Sequence, residues 1–280
     1  MSLSKIKKIL NHRVNQVLAN PVLTAMVVFC VLAILVITLS LPFYRHTPYR
    51  FYEQILTEAH GMLFDIAVIG ILLVWLNNTA EKKRRIRSYQ DEIDDFRLWQ
   101  SDEAAFRNVG NIKRLNRFKV YNIDLANCYL ARTNLNYVSL SKANLNSANL
   151  KDAVLTEGNL ENARLNQTNF ENANLNQANC KKAYASGADF KGAFLIKTNF
   201  EQSFLIKTNF ENAILMEANL QGCDLTGANF RNANLYKCDL RNTHGLTVEQ
   251  LAESRTLYLA KIDDALTNEI NTTHPQLLNK

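Results

Sequence analysis

From Leu125 to Leu240 every fifth residue is leucine or phenylalanine, 24 positions in unbroken phase, with Cys180 and Ala185 as the two departures. Two residues before most of these centres stands a small residue, as at Ala143, Ala148, Ala163, Ala173 and Ala233. Asn or Asp fills most of the positions between, as in Ala228-Asn229-Phe230. A period of five matches neither the 3.6 of an α-helix nor the 2 of a strand. On a helix the centres would wander around the axis, and on a flat strand they would alternate between faces. They share one interior only if the chain turns a corner in every pentad, so that coils with short straight sides stack and bury their apolar residues against one another. The small residues must then also point inward, and Asn or Asp before the centre suits the turns.

The run A(N/D)LXX, as in Ala148-Asn149-Leu150-Lys151-Asp152, resembles the pentapeptide-repeat family over roughly residues 118–246. The resemblance implies an all-β solenoid, a right-handed quadrilateral β-helix with four pentads per coil. Four sides also leave an internal trace. Sorted with a period of 20, one column of centres reads Leu130, Leu150, Phe170, Phe190, Phe210, Phe230 and holds four of the five central phenylalanines. Stacking of like side chains explains that column, and so does duplication of a 20-residue unit. Six coils at the strand spacing of about 4.8 Å give a rod about 29 Å long.

The N-terminal part reads as an α-helical transmembrane hairpin over residues 21–78, after a cytoplasmic segment, residues 1–20. Val22 to Leu41 is unbroken and apolar, long enough to cross about 30 Å of hydrocarbon. A shorter second span, Gly61 to Leu76, carries Asp65. A cleavable signal peptide is the alternative for the first span, but no small-x-small site follows it. Lys5, Lys7, Lys8 and Arg13 precede the first span, and Lys82, Lys83, Arg84, Arg85 and Arg87 follow the second. The intervening loop offers Arg45 and Arg50 against Glu53 and Glu58, so both termini and the repeats belong in the cytoplasm. Phe43, Tyr44, Tyr49, Phe51 and Tyr52 in that loop read as an interfacial belt on the far side. The expected location is the inner membrane of a bacterium, with the lipid bilayer as a partner.

Helical caps should flank the solenoid, because an open end exposes core and strand edges. Residues 79–117 form a charged linker in which Ile86, Tyr89, Ile93 and Phe96 follow a helical spacing, and a short helix near Ser101 to Asn108 covers the first coil. Residues 247–280 form the helical cap and tail at the other end. Thr247 and Gln250 have capping-box spacing, and the segment Gly245 to Leu251, with Thr256-Leu257-Tyr258 after it, resembles the ending of bacterial members of the family.

The formal net charge of +6 belongs mainly to the membrane-proximal part, since residues 121–245 carry 12 basic and 11 acidic side chains. Some pentapeptide-repeat proteins resemble acidic duplex DNA and inhibit type II topoisomerases; a near-neutral rod lacks that charge. Nor does it present a basic stripe, so no nucleic acid is expected. Cys128, Cys223 and Cys238 occupy the small inward position and Cys180 a centre, which marks them as core residues. The five histidines are scattered, and no nucleotide loop or nucleophile motif is present. The sequence therefore offers no enzyme, no cofactor, no metal and no small-molecule substrate.

Two features remain. Asp65 inside a span is an intramembrane functional residue by default, although near the interface it can be structural, paired with Arg45 or His60. On the rod, the position before the centre changes from Asn or Asp to Tyr184, Phe194, Phe204 and Ile214, joined after the centre by Ile196, Ile206 and Met216. On a 20-residue coil Tyr184, Phe204 and Ile206 share one side; Phe194, Ile196, Ile214 and Met216 share the opposite one. Contiguous apolar patches mark interaction surfaces, whereas the copying of Phe194–Phe200 onto 204–210 is also what a recent duplication leaves. Two functions stay open. One is a non-enzymatic membrane-anchored scaffold that docks a protein partner or another copy. The other is an oligomeric two-span channel or membrane-perturbing effector controlled by its cytoplasmic β-helix.

Overall fold

The structure, a computed structural model, describes residues 21–46 and 50–279. It divides between Arg85 and Ile86 into two compact units. In the first, helix α1 spans Pro21–His46 and helix α2 begins at Arg50 and runs to Asp95, so its last residues belong to the second unit. The expected long loop between the apolar stretches is therefore a correction: residues 42–46 and 50–60 are helical, and Tyr49 lies outside the described residues. So do the basic residues Lys5, Lys7, Lys8 and Arg13. The apolar side chains of this unit are largely uncovered, among them Val31, Ile34, Met62, Phe64 and Trp75.

The second unit is built on a single hydrogen-bonding scheme, repeated rung after rung. Parallel bridges join residues 20 apart, from Asp124↔Asn144 to Asp224↔His244, so four pentads make one coil. Each side holds only about three residues between corners and contributes an isolated bridge rather than a full strand. We designate as sides A, B, C and D those whose series of centres begin at Leu125, Leu130, Leu135 and Leu140.

The backbone donors of one pentad show why the sequence repeats as it does. Leu145 donates forward to the Arg164 carbonyl (2.7 Å) and Ser147 to the Asn166 carbonyl (2.9 Å), while Asn149 donates back to the Cys128 carbonyl (2.9 Å). Ala148 closes the corner on the Leu145 carbonyl at 3.0 Å. The second residue after each centre has positive φ, as at Ser147 (58°), which with the closing bond is the geometry of a type II turn. From Asn127 to Asn242 only four of the 24 such residues are glycine. The left-handed conformation costs other residues roughly 1–2 kcal/mol apiece, which the ladder and core must offset.

That leaves one donor per pentad, the N–H just after the centre. Asn144 accepts it from Asn146 at 3.3 Å, and Asn159, Asn169, Asn199, Asn209 and Asn219 do the same on their rungs. The Asn before each centre is thus the acceptor for a corner N–H that the ladder cannot reach. Where Val154, Arg164, Tyr184 or Phe194 replaces it, an Asn one coil earlier takes over. Asn136, Asn146, Asn166 and Asn176 accept from Thr156, Asn166, Ser186 and Ile196 at 2.9 to 3.0 Å.

Every centre from Leu125 to Leu240 is buried. On side B the rings of Phe170, Phe190, Phe210 and Phe230 stack face to face at 4.8, 5.4 and 5.3 Å. Like residues one coil apart thus meet directly, and this is the physical content of the phenylalanine column. Hydroxyls at the small inward position, such as Thr168 and Thr198, donate to the Leu145 and Leu175 carbonyls, both at 2.7 Å.

Both ends are closed by side chains that imitate the missing coil. Helix α3, Asp102–Arg117, is longer than expected and is capped by Ser101, which accepts from Ala104 at 3.2 Å. Its Asn116 donates to the Ser139 carbonyl (2.9 Å) and accepts the Ser139 N–H (2.7 Å), completing the edge as a strand would. Ile93 at the end of α2 is buried in the same core, and Arg97 donates to the Ala126 carbonyl at 2.9 Å. At the far end the capping box of Thr247 and Gln250 forms, but helix α4 is only Val248–Ala252. A purely helical segment from 247 is corrected here: the ladder resumes at Asn234↔Thr256 and Asp239↔Lys261, shifted by two residues, with Leu257 as a buried centre. The Gln250 amide bridges the gap, donating to the Leu225 and Ala228 carbonyls at 3.0 and 2.8 Å. Helix α5, Asp264–Thr273, and the 3₁₀ turn Pro275–Leu278 follow, and the Leu277 carbonyl accepts the Leu257 N–H at 2.7 Å.

The corner rule is testable by a double-mutant cycle. Asn136→Ala should cost about 1 kcal/mol in denaturant unfolding, and almost nothing in a Val154→Asn background, where the local acceptor returns. Equal losses in both backgrounds would contradict it.

Candidate interaction surface

The residues before each centre point out of the four sides. Side B is polar, with Asn149, Asn169, Asp189, Asn209 and Asn229 in register. Sides A and C, two corners apart, carry the anomaly. On side A Tyr184 and Phe204 are 46% and 43% exposed, and their rings stack at 5.1 Å. On side C Phe194 is 43% exposed and pairs in the ladder with Ile214. Ile196, Ile206, Ile214 and Met216 are half-buried at or beside the same rungs. The structure therefore brings the seven residues together as two patches on opposite sides.

The patches also interrupt the acceptor scheme. Among the described residues, four of the corner N–H groups between residues 126 and 241 have no hydrogen bond: Ala131, Ser141, Ile206 and Met216. The first two lie on the first coil. The other two follow Phe204 and Ile214, where neither the local residue nor the one a coil earlier is Asn. Each patch thus combines exposed apolar area with a backbone donor that has no partner in the chain.

Side C continues further than the sequence showed. Tyr236 stacks on Tyr258 at 5.9 Å across the two-residue shift, above Met216 along the same corner. With Asn234, Arg255 and Thr256 these three residues line a shallow depression of about 410 Å³. In the sequence Tyr236 is hidden because Asn234 before it looks ordinary, and Tyr258 stands out only as part of the family's ending, its place beside Tyr236 being concealed by the phase shift. Lys237 lies over the Tyr236 ring at 5.1 Å.

Charged residues stand at the corners, and in two columns they alternate by coil. After side B the column reads Lys151, Glu171, Lys191, Glu211, Arg231, with ion pairs Lys151–Glu171 at 2.7 Å, Lys191–Glu211 at 3.2 Å and Arg231–Glu211 at 2.7 Å. Arg231 and then Lys191 hold the Glu211 carboxyl below the usual range. After side D, Lys181 pairs with Glu201 at 2.9 Å. Asp65 is exposed on α2 in the other unit. Among the described residues no group of three or more His, Cys, Asp or Glu side chains converges on a metal position.

Pentapeptide-repeat family models match residues 123–162, 155–192, 163–202, 193–232 and 217–244, eight copies of the repeat in all. The repeat region belongs to the pentapeptide-repeat family. Proteins of this family fold as right-handed quadrilateral β-helices and in general serve as structural or interaction proteins rather than enzymes. Similar solved structures include HetL, a pentapeptide repeat protein involved in heterocyst differentiation regulation in Nostoc sp. strain PCC 7120, at 26% identity over 50% of this chain and 70% of that one, TM-score 0.26. A pentapeptide repeat protein of the Arabidopsis thaliana thylakoid lumen is 28% identical over 38% of this chain and 70% of that one, TM-score 0.27. One from Cyanothece 51142 is 24% identical over 54% and 98%, TM-score 0.31. At such scores the superpositions carry no argument, and the repeat pattern itself makes the assignment. No curated protein matches the chain.

Within this pentapeptide-repeat core the cysteines are packing residues. Burial pushes the thiols of Cys128 and Cys223 up from 9.0 to about 12, and those of Cys180 and Cys238 up as well. Cys223 donates to the Phe200 carbonyl at 2.8 Å, as the inward hydroxyls do on other rungs. A thiol whose folded pKa is raised stabilises fully below its unfolded pKa and loses that contribution as pH climbs toward the folded value. Stability to denaturant should therefore hold up to about pH 9 and fall between about pH 9 and 12. Replacing Cys128 and Cys223 by Ala should flatten that slope; an unchanged slope would count against the buried-thiol account.

Proposed function

We propose that the protein is a non-enzymatic membrane-anchored scaffold. A two-span helical anchor in a bacterial inner membrane presents the β-helix in the cytoplasm, and the apolar sides of the rod dock protein. One observation carries the reading: Phe204 and the half-buried Ile214 stand on the outward face two residues before corner N–H groups without an acceptor, at Ile206 and Met216. An apolar group next to a free backbone donor suits a protein partner that brings both a side chain to cover the one and a carbonyl for the other. Water can satisfy the donor but leaves the rings exposed.

Support for the anchor comes from the helical unit. One described helix contains a stretch long and apolar enough to cross a membrane, within Thr57–Asp95, and none of that stretch is buried. The basic cluster from Lys82 to Arg87 immediately after the apolar stretch suits the cytoplasmic side. The near-neutral rod with its alternating ion pairs does not suit nucleic-acid mimicry.

A second reading, a channel or membrane-perturbing effector, draws on Asp65, an exposed carboxylate on the apolar part of α2. One hairpin cannot enclose a pore, so this reading demands a closed oligomer.

The test is the composition of the complex gently extracted from its own membrane. Tyr184→Ser with Phe204→Ser should abolish the complex while leaving the unfolding midpoint close to that of the parent. A complex that survives the double substitution would remove side A as the docking surface, and a closed ring of four or more copies would favour the pore.

A further inference from the structure

The pattern on side C goes beyond a generic docking surface, because it selects its own occupant. We propose that side C is self-complementary: two copies of this chain pair through it antiparallel, about a two-fold axis perpendicular to the rods and level with the midpoint between the Phe194 and Ile214 rungs. The inference rests on the reading of the rod as a docking module and names the partner for one side of it.

Register decides between the possible pairings. Two rods that meet through the same side are related by one of two rotations. If the axis lies along the rods, each rung faces the same rung of the partner, and the corner before side C meets the corner after it. Lys191 then faces Lys197, Glu211 faces Glu217 and Arg231 faces Lys237 of the partner, like charge against like on three successive rungs. Such juxtapositions oppose association. If the axis is perpendicular, each corner meets its own counterpart with the order of rungs reversed. Placed between the Phe194 and Ile214 rungs, it sets Lys191 against Glu211, Glu171 against Arg231 and Lys197 against Glu217, each contact occurring twice. The same placement sets Phe194 against Ile214, Ile196 against Met216 and Asn174 against Asn234.

Shifting the axis by half a rung puts Lys191 opposite Lys191 and Glu171 opposite Glu211, or, in the other direction, Glu211 opposite Glu211 and Lys191 opposite Arg231. Shifting it by a whole rung restores charge pairing but sets Phe194 against Asn174 in one direction and Ile214 against Asn234 in the other. The alternating charges and the apolar pair therefore agree on a single register, and it runs from Val154 to Thr256, six rungs or about 29 Å of the rod. Of the charged side chains, Lys197 and Glu217 are the most readily available to a partner, whereas Glu211 is already held by Lys191 and Arg231 of its own chain. Lys197 and Glu217, 58% and 41% exposed, are held only loosely at 3.7 Å within one chain. Their weight lies in selecting register rather than in affinity, which falls to the apolar rungs.

The test uses the full-length chain in its membrane. Two copies with different tags, one Glu171→Cys and one Arg231→Cys, both in a Cys30→Ser background, are produced separately and together. They are treated with a bis-maleimide shorter than three rungs, about 14 Å. Both sites are surface ion-pair positions, so neither substitution touches the core. In the antiparallel pair, residue 171 meets residue 231 of the other copy and lies three rungs from its own counterpart. A cross-link in the mixed membranes and none with either copy alone is the expected result; its absence from the mixed membranes overturns the proposal. Charge reversal gives an independent readout. Lys191→Glu with Lys197→Glu, and Glu211→Lys with Glu217→Lys, should each prevent pairing alone and restore it when mixed, and pairing by either variant alone overturns the proposal. A monomer that still carries a different protein through Tyr184 and Phe204 would refute self-pairing and leave the docking module standing.

Discussion

The structure depends on finding a partner for each backbone N–H when the chain must turn a corner every five residues. Three donors per pentad go to neighbouring coils and one closes the turn. The fifth, just after each centre, points where no backbone acceptor stands. Asn before the centre supplies that acceptor, so the Asn-rich composition of the rod serves the corners rather than any chemistry. Once the donor is satisfied from the coil below, the outward position is released from the constraint. That is how Tyr184 and Phe194 stand in place of Asn without loss, through Asn166 and Asn176. Phe204 and Ile214 go a step further and leave Ile206 and Met216 without a partner. Local rules are broken most readily where a surface has another use, and two of the four breaks, at Ile206 and Met216, fall in the apolar patches.

The rung spacing that stacks phenylalanines inside also stacks charges outside. Lysine and glutamate alternate up the corner after side B because like charges one rung apart would repel and unlike ones pair. Each exposed pair adds little stability. The alternation nonetheless leaves a rod of almost no net charge and with a defined polarity along each corner, which a second surface can read.

Much of this was legible in the sequence. The period of five required a corner in each pentad, the family resemblance implied four sides, with which the column from Phe170 to Phe230 agreed, and the departures at Tyr184, Phe194, Phe204 and Ile214 marked the patches. The role of Asn136 or Asn176 was not legible, because each acts on a residue 20 positions away and only the register identifies it. The closing devices were hidden for the same reason. Asn116, Arg97 and Gln250 look like ordinary surface residues until an unpaired edge is placed beside them. Thr256, Leu257 and Tyr258 were legible as part of the family's ending, but the two-residue shift across α4 concealed that they resume the ladder, since they fall out of phase with every repeat before them. In the helical unit, composition located the apolar stretches but not the helix ends, because Glu53, Glu58 and the aromatics around them are as compatible with a continuous helix as with a loop.

The central claim is that the unpaired corner donors at Ile206 and Met216 belong to docking surfaces, and amide hydrogen exchange on the complex extracted from its own membrane tests it most directly. The account expects slow exchange at Ile206 and Met216 in the complex, becoming fast in a variant carrying Phe204→Ser and Ile214→Ser while neighbouring ladder amides stay protected. Exchange that is equally fast at both positions before and after the substitutions would contradict it.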